Sequence, residues 1–408
     1  MRALLVGSGG REHALAWRLS TSPSLDELHA APGSPGIAAL ATCHPVAADD
    51  EDGLLGLARS LDADLVVIGP EAPLVAGVAD ALRHSGLAVF GPSAAAARIE
   101  GSKLFAKEVM AAAGVPTAAL LSSPRAPCVL KADGLAAGKG VIVCRTDEEL
   151  RAGLAAAERF EGEVVVEELL EGPEVSVFAL CDGAEAVALA PARDFKRAYD
   201  GDTGPNTGGM GSFAPVEGLG TDALEQIVDE TVRPVVAELA RRGTPFVGTL
   251  FAGLMLTGDG ARVLEYNCRF GDPETQSVVP LVDGDLLGAL AAAAHGSLAG
   301  VTLGHVPGAA VTVVVAAGDY PAGGDRGTPI EGLDAAAAAG GLVFHAGTAL
   351  NDGRLVTNGG RLLGVTAAGA TVRDARERAY AAADLIRIPG SRRREDIALA
   401  AAAGAEPG

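Results

Sequence analysis

The chain has 408 residues, of which 49 % are hydrophobic and 21 % charged, and a formal net charge of −20. This is the composition of a globular protein of about two to four domains, not of a disordered, collagenous or coiled-coil chain. The acidic balance argues against a nucleic-acid partner, which needs a basic face, while small anions need only a local positive cluster.

No apolar run approaches the roughly 20 residues that span a bilayer, so no membrane segment is expected. The first apolar stretch runs into Gly7 and the charged Arg11 and Glu12 rather than into a leader-peptide cleavage region, which predicts a cytoplasmic protein. Residues 3–6 read as a buried strand, 12–20 as a helix, 64–68 as a strand, 74–84 as a helix and 87–90 as a strand. Such alternation specifies a parallel sheet covered on both faces. Gly91-Pro92-Ser93 breaks the pattern before a helix at 102–113.

The texture changes near Pro116. Strands at 128–131, 141–143, 164–167 and 175–178, with one helical stretch at 147–158, predict a small antiparallel α+β lobe. A long helix at 221–241 and strands at 247–256 and 261–267 follow. After Gly304 come strands at 310–317 and 361–366 and a helix at 371–386. The expected division is 1–100, 101–303 with a lobe at about 115–180, 304–400, and a frayed tail at 401–408 that starts as early as Ala400. The five cysteines (Cys43, Cys128, Cys144, Cys181, Cys268) are scattered and never spaced C-x-x-C, which predicts free, buried thiols.

Only five of the 32 basic residues are lysine: Lys103, Lys107, Lys131, Lys139 and Lys196. An ammonium is a compact point charge that suits a narrow phosphate pocket, so at least three of them are expected at substrate or nucleotide. Gly7-Ser8-Gly9-Gly10-Arg11-Glu12 sits between strand and helix but fails the dinucleotide fingerprint, because Glu12 stands where its third glycine belongs. A phosphate on the helix N-terminus and a plain tight turn both remain open. Glu71, after the strand at 64–68, is either a ligand-crevice carboxylate or a helix-start acid.

Lys131-Ala132-Asp133-Gly134 to Gly138-Lys139-Gly140 fails the Walker A spacing and joins two strands, so it reads as a flap over phosphates. Glu167 to Glu174 suits a nucleoside edge or an acidic turn. Glu265, Asn267 and Arg269 alternate onto one strand face, with Leu264, Tyr266 and Cys268 on the apolar one. An adjacent carboxylate and amide suit Mg²⁺, and the arginine suits a phosphoryl oxygen; a surface ion pair is the alternative. Residues 202–211 are too glycine-rich for helix or strand and read as a structured loop, in which Asp202 and Asn206, with Asp194, Lys196 and Arg197 nearby, suit a small zwitterion.

These segments in this order resemble the glycinamide ribonucleotide synthetase (phosphoribosylamine–glycine ligase) family of ATP-grasp enzymes, and Thr357 to Arg361 extends the likeness. The resemblance implies a Rossmann-like N-terminal domain, an ATP-grasp domain with a small lid lobe, and a C-terminal α+β domain, in an α/β and α+β multidomain chain. It implies ATP-dependent ligation of glycine to 5-phosphoribosylamine through glycyl phosphate, in a monomer using Mg²⁺ or Mn²⁺. By the same resemblance Lys103, Lys131, Gly134, Gly138, Lys139, Gly140, Glu167, Glu168, Leu170 and Glu174 hold ATP. Gly9, Gly10, Arg11, Glu71, Asp194, Lys196, Asp202, Asn206, Gly208 and Arg269 hold the other substrates. Glu265 and Asn267 hold metal, and Arg269, Lys139 and Asp202 form the catalytic set. The lid is shorter than the family pattern at 116–128 and 157–163, and Arg193 and Phe195 replace the more usual Gln and His. Two competing readings are a sibling ligase activating formate or bicarbonate, and a nucleotide-binding protein without catalysis.

Overall fold

The computed structural model describes residues 1–135, 140–159 and 162–404. Strands β1 (Arg2–Gly7), β2 (Glu27–Pro32), β3 (Thr42–Cys43), β4 (Leu65–Ile68) and β5 (Val89–Phe90) form a parallel sheet in the order β3-β2-β1-β4-β5. Helices α1 (Gly10–Leu19), α2 (Glu51–Ser60), α3 (Glu71–Ala76) and α4 (Val78–His84) connect them. Because β2 and β4 flank β1 on opposite sides, the carboxyl ends of β1 and β4 open the crevice where such sheets bind ligands. The helix expected at 74–84 is split, because Gly77 adopts φ +96° and ends α3. An unexpected helix, α5 (Ala94–Gly101), is capped by the Ser93 side chain and leads into α6 (Lys103–Ala113).

The lid is the sheet β7-β6-β8, made of β6 (Cys128–Ala132), β7 (Val141–Cys144) and β8 (Val164–Glu168), with α7 (Asp147–Ala157) on one face. Cys128, Leu130, Cys144, Leu150 and Ala157 form its small core. The chain then makes β9 (Glu174–Asp182), β10 (Ala186–Ala188), β11 (Arg193–Asp194), β12 (Arg197–Tyr199), β13 (Thr203–Asn206) and β14 (Gly211–Ala214). Helices α8 (Thr221–Thr231) and α9 (Arg233–Arg241) precede β15 (Val247–Thr257) and β16 (Gly260–Asn267). The antiparallel sheet β10-β9-β15-β16 buries Val177, Leu250, Val263 and Tyr266 in one core with Phe105, Val109, Val228 and Val235 of α6, α8 and α9.

Three expectations change here. The helix at 221–241 breaks at Val232, with Pro234 in the first turn of α9, where its missing N–H costs nothing. The 202–211 stretch is not loop throughout, since β13 pairs with β12 and Gly211 opens β14. The alternation along β16 is interrupted, because Gly253 faces Glu265 and the next residue, Leu254, faces Val263. Leu264 is the extra residue of a bulge, so Val263 and Tyr266 share the core face and Leu264 does not join them.

Helices α10 (Glu274–Val278) and α11 (Leu286–Ala294) and the pair β17 (Val282–Asp283) and β18 (Gly304–His305) lead to the C-terminal region. Its strands are β19 (Ala309–Ala317), β20 (Asp325–Pro329), β21 (Leu342–His345), β22 (Thr348–Asn351), β23 (Arg354–Gly359), β24 (Arg361–Gly369) and β25 (Ser391–Arg392). The main sheet runs β11-β14-β19-β24-β21, with β25 on β19, so two of its strands come from the middle of the chain. Helix α12 (Leu333–Ala338) packs near β21, and α13 (Val372–Ala383) covers β19 and β24. Leu399–Ala402 forms α14, so the chain is helical where fraying was expected; residues 405–408 lie outside the described residues.

Candidate active site

Glu12 explains the failed dinucleotide fingerprint. Its carboxylate, 2 % exposed, fills the crevice between β1 and β4: a Cβ on Gly7 would lie 2.5 Å from its Cγ and one on Gly69 2.2 Å from its Oε1. The Gly9 N–H donates to Glu12 Oε2 at 2.7 Å, and Arg11 Nε pairs with Oε1 at 2.5 Å. Gly9 therefore spends its donor inside the protein, and Gly10 abuts Gln276 of α10, whose Nε2 would lie 2.8 Å from an added Cβ. Arg11 also reaches the Phe270 carbonyl at 3.2 Å and lies 3.7 Å from Glu71.

Arg269 sits where the N-terminal and central sheets meet. Its guanidinium lies 3.3 Å from Glu71 Oε2 and 3.3 Å from Glu100 Oε1, and it donates to Asn267 Oδ1 at 3.5 Å. Burial disfavours its charge, but Glu100, Glu71 and Glu274 outweigh that and hold its pKa above the ordinary value. Burial likewise opposes charge on Glu71, and Arg269 and Arg11 overcome it, leaving that carboxyl below its usual range. Nearby, Arg361 binds Asp272 Oδ2 at 2.8 Å and the carbonyl of Gly208, which ties the C-terminal region to the same corner.

On the lid side, Lys131 Nζ donates to the Leu264 carbonyl at 2.8 Å and forms an ion pair with Glu167 Oε2 at 2.7 Å. The β16 bulge thus presents a carbonyl to the lid lysine beside Glu265. Lys103 Nζ donates to the Gly134 carbonyl at 3.1 Å, and Asp133 accepts from the Lys103 N–H at 2.6 Å, so the start of α6 and the flap are joined. The Gly140 carbonyl accepts from the Ala132 N–H at 2.7 Å. Gly138 and Lys139 lie outside the described residues. Glu168 takes the Ala119 N–H at 2.9 Å and Arg262 at 3.1 Å, and Leu170 helps line a cleft of about 610 Å³ between the lid, residues 168–171 and the β15–β16 turn.

Carboxylates and one ammonium gather between these two groups. Lys196 Nζ lies 2.6 Å from Glu174 and 4.0 Å from Asp194. Burial lifts the Asp194 carboxyl to about 7; Lys196 opposes this, and Glu274, Glu174 and Glu265 add to it. Lys196 lowers the Glu174 carboxyl, and desolvation of Lys196 is outweighed by Asp194, Glu174 and Glu265, which hold its ammonium well above normal. Asp202 stands elsewhere, on the β12–β13 turn with φ +52° and a side chain 63 % exposed, where Arg394 holds it at 2.7 Å. Asn206 pairs with Arg197 across the same hairpin, and the Gly208 N–H donates to the Tyr320 hydroxyl at 2.9 Å.

Three family models of phosphoribosylglycinamide synthetase match: the N domain over residues 1–100, the ATP-grasp (A) domain over 101–275 and the C domain over 310–400. This chain belongs to the phosphoribosylglycinamide synthetase family. Among relatives, the phosphoribosylamine–glycine ligase of Streptomyces coelicolor is 52 % identical, covering 98 % of this chain and 100 % of its own length. That of Mesorhizobium japonicum is 49 % identical over 99 % of both. The crystal structure of the Thermotoga maritima phosphoribosylamine–glycine ligase superposes with a TM-score of 0.85 at 35 % identity, covering 97 % of this chain and 100 % of that one. A biotin carboxylase domain from Hydrogenobacter thermophilus, 18 % identical with a TM-score of 0.68, shares the fold over 96 % of this chain and 91 % of its own.

Several residues of this corner of the synthetase carry little signal in the sequence. Glu100, Asp272 and Glu274 are further carboxylates of this corner, and their one signal in the sequence is their closeness to Lys103 or Arg269. In the sequence Glu12 signals only that a glycine is missing, and Lys107 only that it is one of five lysines. Asp272 and Glu274 are held oppositely: burial raises both, but Arg361 and Arg11 bring Asp272 below its usual value while Glu274, which accepts from Ser176 at 3.1 Å, stays above.

Proposed function

We propose that this chain joins glycine to 5-phosphoribosylamine by way of a glycyl phosphate, in the site bounded by the lid, β16 and the ends of β1 and β4. The overall reaction consumes ATP and yields glycinamide ribonucleotide, ADP and phosphate. The observation that carries the residue assignment is the 2.8 Å contact of Lys131 with the Leu264 carbonyl, which joins the lid to the strand bearing Glu265, Asn267 and, just beyond it, Arg269.

Attack of a carboxylate on the γ-phosphate brings two anions together, so positioning and charge neutralisation dominate. In this reading Lys103 and Lys131 hold nucleotide phosphates, with Gly134, Gly138, Lys139 and Gly140 covering them. Residues 167–174, including Glu168, Leu170 and Glu174, hold the nucleoside. Arg269, fixed between Glu71 and Glu100, keeps its charge for the transferring phosphoryl group and the acyl phosphate. Gly9, Gly10, Arg11 and Glu71 border the phosphoribosylamine, and Asp194, Lys196, Asn206 and Gly208 the glycine. Asp202, braced by Arg394, acts by shaping that loop.

Among the described residues no cluster of three or more His, Cys, Asp or Glu side chains suits a metal. Glu265 and Asn267 nevertheless fit Mg²⁺ or Mn²⁺, since one carboxylate and one amide oxygen on the same strand face leave positions for water and phosphate oxygens. When bound, the ion supplies charge neutralisation on the phosphates. On this reading the catalytic unit is a monomer. The described residues contain no helix long and apolar enough to cross a membrane.

The test is ADP release with glycine and freshly generated 5-phosphoribosylamine. Turnover should require both, and formate should not replace glycine. Phosphate release with formate but none with glycine overturns the reading.

A further inference from the structure

Lys107 belongs to none of the roles above, yet it is 7 % exposed on α6 and buried against the lid. Its ammonium carries three N–H donors. It lies 2.9 Å from Glu167 Oε1 and donates to Thr117 Oγ1 at 2.8 Å and to the Ala118 carbonyl at 2.6 Å. With two hydrogen bonds and the ion pair all made inside the protein, Lys107 is committed to the fold rather than to a substrate. Lys131, 5 % exposed, donates to the Leu264 carbonyl and lies in ion-pair contact with the other oxygen of Glu167 at 2.7 Å.

Glu167, 1 % exposed, is therefore a single carboxylate shared by two ammoniums. The three groups together carry one net positive charge. Without Lys107, Glu167 and Lys131 would form a neutral buried pair, and the lid lysine would present little charge to an incoming anion. Lys107 also touches both crossings into the lid, Thr117 and Ala118 on the way in and Glu167 on the way out. Thr117 is itself fixed to the Val263 carbonyl at 2.7 Å, and Leu120 bridges Glu167.

We propose that Lys107 is a positioning residue of the nucleotide site: by taking half of the Glu167 carboxylate it leaves Lys131 with charge for nucleotide phosphate. The inference rests on the reading of Lys131 as a phosphate ligand and adds a residue that never meets the nucleotide. Burial pulls the Lys107 ammonium below its ordinary pKa, Glu167 opposes this, and Lys131 adds to it, as expected for two like charges sharing one partner.

A double-mutant cycle separates this role from simple scaffolding. MgATP binding is measured by calorimetry, without glycine, for the full chain and for Lys107→Met, Lys107→Arg, Glu167→Gln and Lys107→Met/Glu167→Gln. Lys107→Met should weaken MgATP about tenfold or more, and Lys107→Arg, which keeps the charge, should recover most of that. In the Glu167→Gln background, removing Lys107 should change MgATP affinity by less than about twofold, because no carboxylate is left to capture Lys131. A scaffolding lysine would matter equally in both backgrounds, and that result overturns the proposal, as does unchanged binding by Lys107→Met. Should Lys107→Met not fold, Lys107→Gln takes its place in the same cycle, with the same expected and overturning results. An unmodified chain that binds no MgATP sinks the nucleotide reading itself, whereas normal binding with indifferent Lys107 variants sinks only this inference.

Discussion

The Glu12 wedge makes a quantitative prediction at Gly69. An alanine there would place its Cβ 2.2 Å from Glu12 Oε1, 2.7 Å from Cγ and 2.8 Å from Cδ. A long side chain usually yields to such a clash at little cost. Glu12 has nowhere to go, because Gly7 closes the other side and its two oxygens are held by the Gly9 N–H at 2.7 Å and Arg11 at 2.5 Å. Moving it breaks a buried hydrogen bond to a charged group, which costs about 1.5–3 kcal/mol, and weakens the Arg11 pair as well. Gly69→Ala should therefore destabilise the N-terminal sheet by about 2–4 kcal/mol. Trp17 on α1, the one tryptophan in the chain, gives a local fluorescence signal for urea unfolding. Gly56→Ala is the control, since an added Cβ on that exposed position of α2 meets nothing within 4 Å; it should be neutral or stabilising by up to about 1 kcal/mol. If Gly69→Ala unfolds within about 0.5 kcal/mol of the parent, a residue this well placed is not the wedge described here.

Other outcomes test other parts of the molecule. His13 is held down to about 3 by burial and by His345, and His345 to about 4 by burial, and the His345 N–H donates to His13 Nδ1 at 2.8 Å. Both rings are neutral in the folded protein while the unfolded chain takes up protons near pH 6.5, so stability should be intact above about pH 6.5 and fall as the pH drops toward 4; a slope unchanged in His13→Asn/His345→Asn would contradict this. Glu265→Gln should lower turnover by on the order of 10²-fold at saturating Mg²⁺ through loss of metal charge, and near-normal turnover would remove Glu265 from the metal site. Asp202→Asn should raise the glycine KM several-fold with little effect on kcat; a collapse of kcat with KM unchanged would put Asp202 at the chemistry after all.

How far the sequence foretold this differs by kind of signal. The parallel N-terminal sheet was legible because apolar runs and glycine-rich turns are local, and Glu71 and Arg269 were legible because each stands at a strand end. Helix α5 was not, since half of Ala94–Gly101 is alanine and it offers little periodicity to read. The breaks at Gly77 and Val232 interrupt patterns whose apolar spacing continues across them. The bulge at Leu264 depends on the register of β15 against β16, which no single strand encodes, and it moved Leu264 off the expected face while supplying the carbonyl that Lys131 uses. Lys107 and Glu12 escaped for a shared reason: each works on another protein side chain, and partners far apart in sequence are invisible until the chain is folded.

The sheet that joins β11 and β14 to β19 and β24 has a consequence for synthesis. Phe213 and Ala214 of β14 are fully buried only once β19 lies beside them, so a nascent chain must carry this strand with an open edge until residues 309–317 have emerged. A product terminated near residue 303 would keep that adhesive edge permanently, and should precipitate rather than persist as a smaller enzyme.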